Sequence, residues 1–504
     1  MRRRVALAVI LLAGFIPGQA AALRFEITAP ARTAGESQRG RLFVVLSHTN
    51  NPEPRFALGS AGRDAPQAFA RDLPGFGPGE TAMIDDSARG YPISQASALP
   101  AGDYYVQAVF DSNADLRSPN APGNLFSEML RLRLDAAREP VVKIALTRQV
   151  EPDQLPAETG EIKFVKIQST LLSAFHGRPI FLRAGVVLPR DYDREPERHY
   201  PLWVRIGGLN TRFTAVTNLM AADSGFRKTW LANRTPRFLL LQLDGAGPLG
   251  DPYQVNSANN GPFGDAVMQE LIPYVEKRFR ARGNSRARVL SGTSTGGWVA
   301  LALQIFYPGA FNGAWVSSPD PVDFRAFELI DVYDDDNAYQ DRRGEERPSE
   351  RDLKGAVTLT MRQEVGMENM LGNGYARSGE QWGAWNAVFS PRAADGTPAL
   401  IWDPQTGKID RGVAEAWKRY DLRLTLAEKW PELAAQLRGK LHIAAGEADQ
   451  YFLNGAVHLL DGAMARVRPA WGASIAYGRG KGHGWSNLSA RQMLVEMERA
   501  TNQP

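Results

Sequence analysis

This 504-residue sequence predicts an all-β domain followed by a doubly wound α/β domain. Three observations carry that expectation. From Leu23 to about Val150, short alternating apolar runs are separated by Pro- and Gly-rich connections, with no helical period. From Lys163 onward, apolar runs of five or six residues alternate with amphipathic helical stretches. Near the middle of that second region, an apolar run passes directly into a helical segment through a glycine-rich turn.

The chain begins with Met1-Arg-Arg-Arg4, an apolar run from Val5 to Ile16, and small residues from Gly18 to Ala22. That order predicts a cleaved export signal over 1–22 and a periplasmic or secreted bacterial protein, since the run is too short to span a bilayer. No later stretch predicts a membrane anchor. Without the three arginines, 56 basic residues face 55 acidic ones, so the charge balance gives no reason to expect a nucleic-acid partner. Hydrophobic residues at 43% and charged residues at 23% fit an ordinary globular protein. The chain has no cysteine, which excludes disulfides, thiol catalysis and cysteine zinc sites.

In the first domain, 23–150, strands are expected at 23–28, 41–47, 103–110 and 141–146. An immunoglobulin-like sandwich suits them. Leu73 to Gly79 reads as a connection, and Tyr104 and Tyr105 read either as sheet packing or as a carbohydrate-contacting surface. The Pro/Glu-rich stretch within 151–162 reads as a linker. In the second domain, 163–504, antiparallel opening strands at 161–168 and 180–188 are joined through His176-Gly177. Strands at 202–206, 238–243, 288–291, 312–318, 440–445 and 473–477 follow, with helices at 266–280, 298–306, 454–467 and 489–500. An insertion from about 320 to 437, rich in charge and tryptophan, interrupts this alternation. It reads either as a lid or as a solvent-facing elaboration. Its Asp334-Asp-Asp336 run matches no calcium-loop spacing and reads first as a solvated loop.

The glycine-rich turn is Gly292-Thr-Ser294-Thr-Gly296-Gly297, a Gly-x-Ser-x-Gly pattern between strand and helix. A strand that reverses straight into a helix strains its central residue, and glycines on either side allow the close approach. The hydroxyl of Ser294 is then exposed as a nucleophile, with the amide of Thr295 at a helix N-terminus as an oxyanion donor. Such a serine needs a base, and the base needs an acid. Six histidines are available: His48, His176, His199, His442, His458 and His483. Only His483 lies in a glycine-rich loop just past a late strand's C-terminal end, where α/β sheets place ligand sites. Asp449, after the strand at 440–445, is the first choice of acid. Glu447 is the near alternative, with Asp320 and Asp323 further behind. A second oxyanion donor is expected from the Gly207-Gly208-Leu209 loop, at the amide of Leu209 or, next, of Gly208.

Several further stretches carry a resemblance: Val187 to Tyr192, Tyr200 to Gly208, Gly261 to Pro273, Ser291 to Gly297, Tyr307 to Phe311, Gly446 to Asp449 and Gly482 to Trp485. Together they resemble the esterase D-like family of α/β-hydrolases. That group includes enterochelin, feruloyl and acetylxylan esterases, S-formylglutathione hydrolases and mycolyltransferases. The resemblance covers about 163 to the C-terminus. It implies Ser294 as nucleophile, Asp449 as acid, His483 as base, and the amides of Leu209 and Thr295 as oxyanion donors. Many members carry His-Gly where this chain has Gly207-Gly208. The expectation is therefore an exported serine esterase acting on a small-molecule or polysaccharide-linked ester, needing no metal or organic cofactor. The alternatives are an acyltransferase of the mycolyltransferase type and a non-catalytic polysaccharide-binding protein with a vestigial hydrolase fold.

Overall fold

Period-2 alternation in Arg24–Thr28 buries Phe25 and Ile27 on one face, and two neighbours complete that sheet. Thr81–Ile84 pairs antiparallel on one side and Val141–Ala145 parallel on the other. The computed structural model describes residues 23–502, apart from 31–35, 63–64, 137, 139–140 and 153. The export signal expected at 1–22 lies outside them. Across the first core lies a second, antiparallel sheet built around Gln38–Ser47, Gln67–Phe76 and Gly102–Asp111. Leu42, Val44, Leu46, Phe69, Val106 and Phe110 fill the space between the sheets. This all-β region is a sandwich, and the only helical turns among its described residues are 3₁₀ turns at Pro54–Phe56 and Ala96–Ala98. The connection expected at Leu73 to Gly79 is strand as far as Phe76, where the pairing register shifts between Gln38 and Gly40. Tyr104 packs in the sheet, buried, with its hydroxyl on the carbonyl of Pro100 at 2.9 Å.

The α/β region has one eight-stranded sheet. Its strands are β1 (Ile162–Ser169), β2 (Ile180–Val187), β3 (Leu202–Ile206), β4 (Leu239–Leu243), β5 (Arg288–Ser294), β6 (Ala314–Pro319), β7 (Leu441–Gly446) and β8 (Ser474–Gly478). The spatial order is β1-β2-β4-β3-β5-β6-β7-β8. β2 runs antiparallel to both neighbours and all later pairs are parallel. Parallel neighbours need crossovers, and helices cover both faces. α1 (Thr170–His176) sits between β1 and β2, where the sequence reading had only a join. Ser169 caps its start and Gly177, in the left-handed conformation, ends it. α2 is Gly225–Leu231. α3 consists of Phe263–Ala266, a π turn at Val267–Leu271, and Ile272–Arg278. α4 (Thr295–Phe306) follows β5 and is buried almost throughout.

Within the insertion, a hairpin (Pro348–Arg351 with Val357–Thr360) leads to α5 (Met361–Gly372), α6 (Gln381–Phe389) and α7 (Arg411–Trp417). Trp382, Trp385, Trp402 and Trp417 are all fully buried and continuous with the core of the sheet, so this segment is no solvent-facing elaboration. Phe327 lies among them, with ring centroids 4.6 Å from Trp385 and 5.3 Å from Trp417. The Asp334–Asp336 run is paired with Arg342, Arg347 and Arg411. α8 (Leu422–Leu437) packs on α4 and belongs to the helical layer of the sheet, so the insertion ends earlier than expected. α9 (Asn454–Met464) and α10 (Ala490–Asn502) finish the layers, α10 placing Leu494 and Met497 against Val289 and Trp315 on the opposite face.

The second sandwich face is also apolar. Phe43, Val45, Ala68, Ala70 and Val109 form a core with Met367, Met370 and Leu371 of α5. Arg41, 2% exposed, crosses this junction: its guanidinium donates to the carbonyl of Met370 at 2.6 and 3.1 Å and pairs with Asp72 at 2.5 Å. The first domain is thus docked on the insertion through a hydrophobic patch and a buried cation.

Candidate active site

β5 lies between β3 and β6, with Gly292 level with Ile206 and Val316. The chain leaves β5 at Ser294 with φ 60° and ψ −129°, a conformation that L residues rarely adopt. Its neighbours have no room for side chains. A Cβ on Gly292 would stand 1.9 Å from the carbonyl oxygen of Gly296, and one on Gly296 would stand 2.3 Å from that of Gly207. The glycines therefore allow three backbones to converge under the serine, and the surrounding sheet holds the strain. Thr295 opens α4, so its amide is one of the unpaired donors at a helix N-terminus. The Gly207-Gly208-Leu209 loop passes alongside: a Cβ on Gly208 would lie 3.7 Å from the Cβ of Ser294. At Gly207, Thr211 fills the space, 2.3 Å from where a Cβ would be.

His483 follows β8, and its Nδ1 lies 3.1 Å from Oδ2 of Asp449, which follows β7 and is fully buried. The second oxygen of Asp449 accepts the amide of Tyr451 at 3.0 Å, fixing the carboxylate plane. The imidazole is held further by its own amide, which donates to Gln450 at 2.7 Å, and by the edge of Tyr451 with centroids 4.9 Å apart. A carboxylate on Nδ1 sets the tautomer that leaves Nε2 able to take a proton. Glu447, the alternative acid, is engaged elsewhere: both its oxygens lie 3.1 Å from Nε2 of His458. Asp323 is held by Arg325 and Arg423. The other histidines are also accounted for: His442 stacks on Trp315, His48 lies tilted against Tyr104, and His176 and His199 reach the carbonyls of Asn260 and Glu197.

The remaining candidate, Asp320, sits at the serine itself. Ser294 Oγ donates to its Oδ1 at 3.3 Å, and Tyr253, Thr295 and Gln381 donate to its Oδ2 at 2.5, 2.9 and 3.3 Å. Burial pushes the carboxyl of Asp320 up from its ordinary range, with these donors opposing.

The family described as "Putative esterase" matches residues 182–451, more than half of the chain. The chain belongs to that family. The protein is a carboxylic ester hydrolase. No curated protein matches it. Among solved structures, an S-formylglutathione hydrolase from Agrobacterium tumefaciens is similar at 14% identity, over 69% of this chain and 97% of that one, with a TM-score of 0.39. A fluorophosphonate-binding serine hydrolase of Staphylococcus aureus is similar at 13% identity, over 68% and 100%, with a TM-score of 0.38. A ferulic acid esterase from Anaeromyces mucronatus is similar at 12% identity, over 70% and 93%, with a TM-score of 0.31.

In this esterase, Ser294, Asp320, His483 and Leu209 line one cavity of about 360 Å³, the size of a small-ligand site. The insertion supplies most of its other wall, including Glu364, Glu368, Gln381 and Trp385. The all-β region contributes Gly59 and Ala61 at the rim. Sequence reasoning gave these residues no role. Their one visible trace is the tryptophan-rich insertion, whose aromatics imply a packed core without saying which carboxylates it would enclose. Among the described residues, no helix is long and apolar enough to cross a membrane, and no three His, Asp or Glu side chains could hold a metal ion.

Proposed function

We propose that the protein hydrolyses small carboxylic esters through an acyl-enzyme on Ser294, with His483 as base and Asp449 as its orienting acid. The observation that carries this reading is a strained serine facing the same cavity as a histidine already paired through Nδ1 to a buried aspartate. In the reaction, the Ser294 hydroxyl turns from Asp320 to Nε2 of His483, loses its proton there and attacks the ester carbonyl. The amides of Leu209 and Thr295 receive the developing oxyanion. Asp449 stabilises the imidazolium, which returns its proton to the leaving alcohol. Water then enters, gives a proton to His483 and releases the acid. Asp320, hydrogen-bonded to both Ser294 and Thr295, holds the turn and the resting hydroxyl.

Hydrolysis of p-nitrophenyl acetate and butyrate by wild type and Ser294→Ala tests the reading. The substitution should lower kcat/KM by about 10³-fold or more and abolish labelling by a fluorophosphonate probe. Equal rates in the two proteins would overturn it.

A further inference from the structure

Six carboxyl groups line the cavity that holds Ser294: Asp320, Glu328, Glu350, Glu364, Glu368 and Glu380. No lysine or arginine lines it among the described residues, and the one basic side chain is His483. Some of these acids are explained by the fold. Glu368 accepts Ser378 Oγ at 2.6 Å and the amides of Trp382 and Gly383 at 2.9 and 2.8 Å, capping the start of α6. Glu364 accepts the hydroxyl of Ser349. Asp320 takes the four donors described above.

Glu328 is different. It is 4% exposed, and its Oε2 is enclosed with no hydrogen-bond partner among the described residues. Its backbone stands at φ 54°, so the chain accepts a strained turn at this position. The charges that act on it most are Glu364, Asp320, Asp449 and Glu368, all of its own sign. Burial and these neighbours push its carboxyl well above the ordinary range. An enclosed acceptor without a donor is costly in a folded protein, and where its residue lines a cavity a ligand can supply the missing partner. A donor bearing positive charge would draw this carboxyl toward its ionised form, filling the empty hydrogen bond and offsetting the repulsion. Trp385 and Tyr451 line the same space. Among the described residues no three acidic or histidine side chains converge as a metal site requires, which leaves an organic cation as the candidate.

We propose that this cavity selects esters carrying a protonated primary amine, with Glu328 accepting the ammonium while Ser294 attacks the ester carbonyl. The inference rests on the ester-hydrolase reading of Ser294. It goes beyond that reading by naming the substrate's charge and the residue that reads it.

Isosteric ester pairs, assayed near pH 6 with blank correction, test it. In one arm p-nitrophenyl β-alaninate is compared with p-nitrophenyl butyrate, placing the ammonium on the acyl side. In the other, 2-aminoethyl acetate is compared with n-propyl acetate, placing it on the alcohol side. At least one ammonium ester should exceed its alkyl partner in kcat/KM by about tenfold or more, and Glu328→Gln should bring that ratio close to one. A second measurement uses wild type alone: n-butylammonium should inhibit butyrate hydrolysis more strongly than n-butanol. Ratios of one or less in both arms, or equal inhibition by the two additives, overturn the ammonium site while butyrate turnover leaves the esterase intact. Failure of every ester, together with failure of fluorophosphonate labelling, removes the hydrolase reading and this inference with it.

Discussion

At the residue scale, Asp449 and Glu447 are two carboxyls on one loop with different surroundings. Asp449 is buried against Nδ1 of His483, whereas Glu447 is half-exposed and faces His458. Asp449→Asn should therefore lower kcat by about 10³-fold or more, because an amide there favours the wrong tautomer of His483. Glu447→Gln should leave kcat within about twofold. Steady-state kinetics of the two variants separate these assignments. Both acids were legible in the sequence as candidates, because each lies just past a strand's C-terminal end. So was Ser294, from the glycines that flank it between a strand and a helix. The contact between Asp320 and the serine hydroxyl was not legible, since it depends on β6 lying beside β5 and on Tyr253 and Gln381 arriving from distant segments. Glu328 was hidden for the same reason: nothing local distinguishes it from a solvated glutamate.

At the element scale, α5 shows why periodicity succeeds in some places and fails in others. α3 buries one stripe, including Val267, Leu271, Ile272 and Val275, and its apolar spacing announced it. α5 is buried on two sides, with Met367, Met370 and Leu371 toward the sandwich and Glu364 and Glu368 toward the cavity. Its carboxylates read as an exposed face although they line a site. Its one clear local signal is the capping box of Thr360 and Gln363. α1 also carried a readable cap and stop, Ser169 and Gly177, but it is too short to show a period. The junction of α5 with the sandwich is held partly by Arg41. Arg41→Ala removes the donors to the buried carbonyl of Met370 and leaves Asp72 without its closest cation. It should cost about 2–3 kcal/mol, measured by urea denaturation. Because α5 carries cavity residues, the same variant should lose ester hydrolysis at a lower urea concentration than wild type.

At the scale of the whole molecule, buried acids make stability depend on pH in an unusual direction. Burial pushes Glu380 up to about 7 and Asp251 up to about 8. In the unfolded chain both titrate in the ordinary carboxylate range, near 4. Between those limits the folded protein holds protons that the unfolded chain has released, so stability falls as pH rises across the window. Below about pH 4 this contribution is absent, and above about pH 8 the penalty is complete. Thermal unfolding should therefore occur at a higher temperature at pH 5.5 than at pH 8.5. Glu380→Gln should reduce that difference, and an unchanged difference would show that Glu380 does not contribute.

The position of the insertion between β6 and β7 also bears on how the enzyme comes into being. These strands are neighbours in the sheet, yet Pro319 and Leu441 are separated by the whole insertion and by α8. Joining them closes a very long loop, and the entropy of that closure is lost before β7 and β8 can add any contact to β6. Ser294 lies on the earlier side of the gap and Asp449 and His483 on the later. The strand that carries Ser294 can thus form with its local neighbours while His483, the base proposed for it, is still unplaced, so the proposed triad assembles only with the most non-local closure of the sheet.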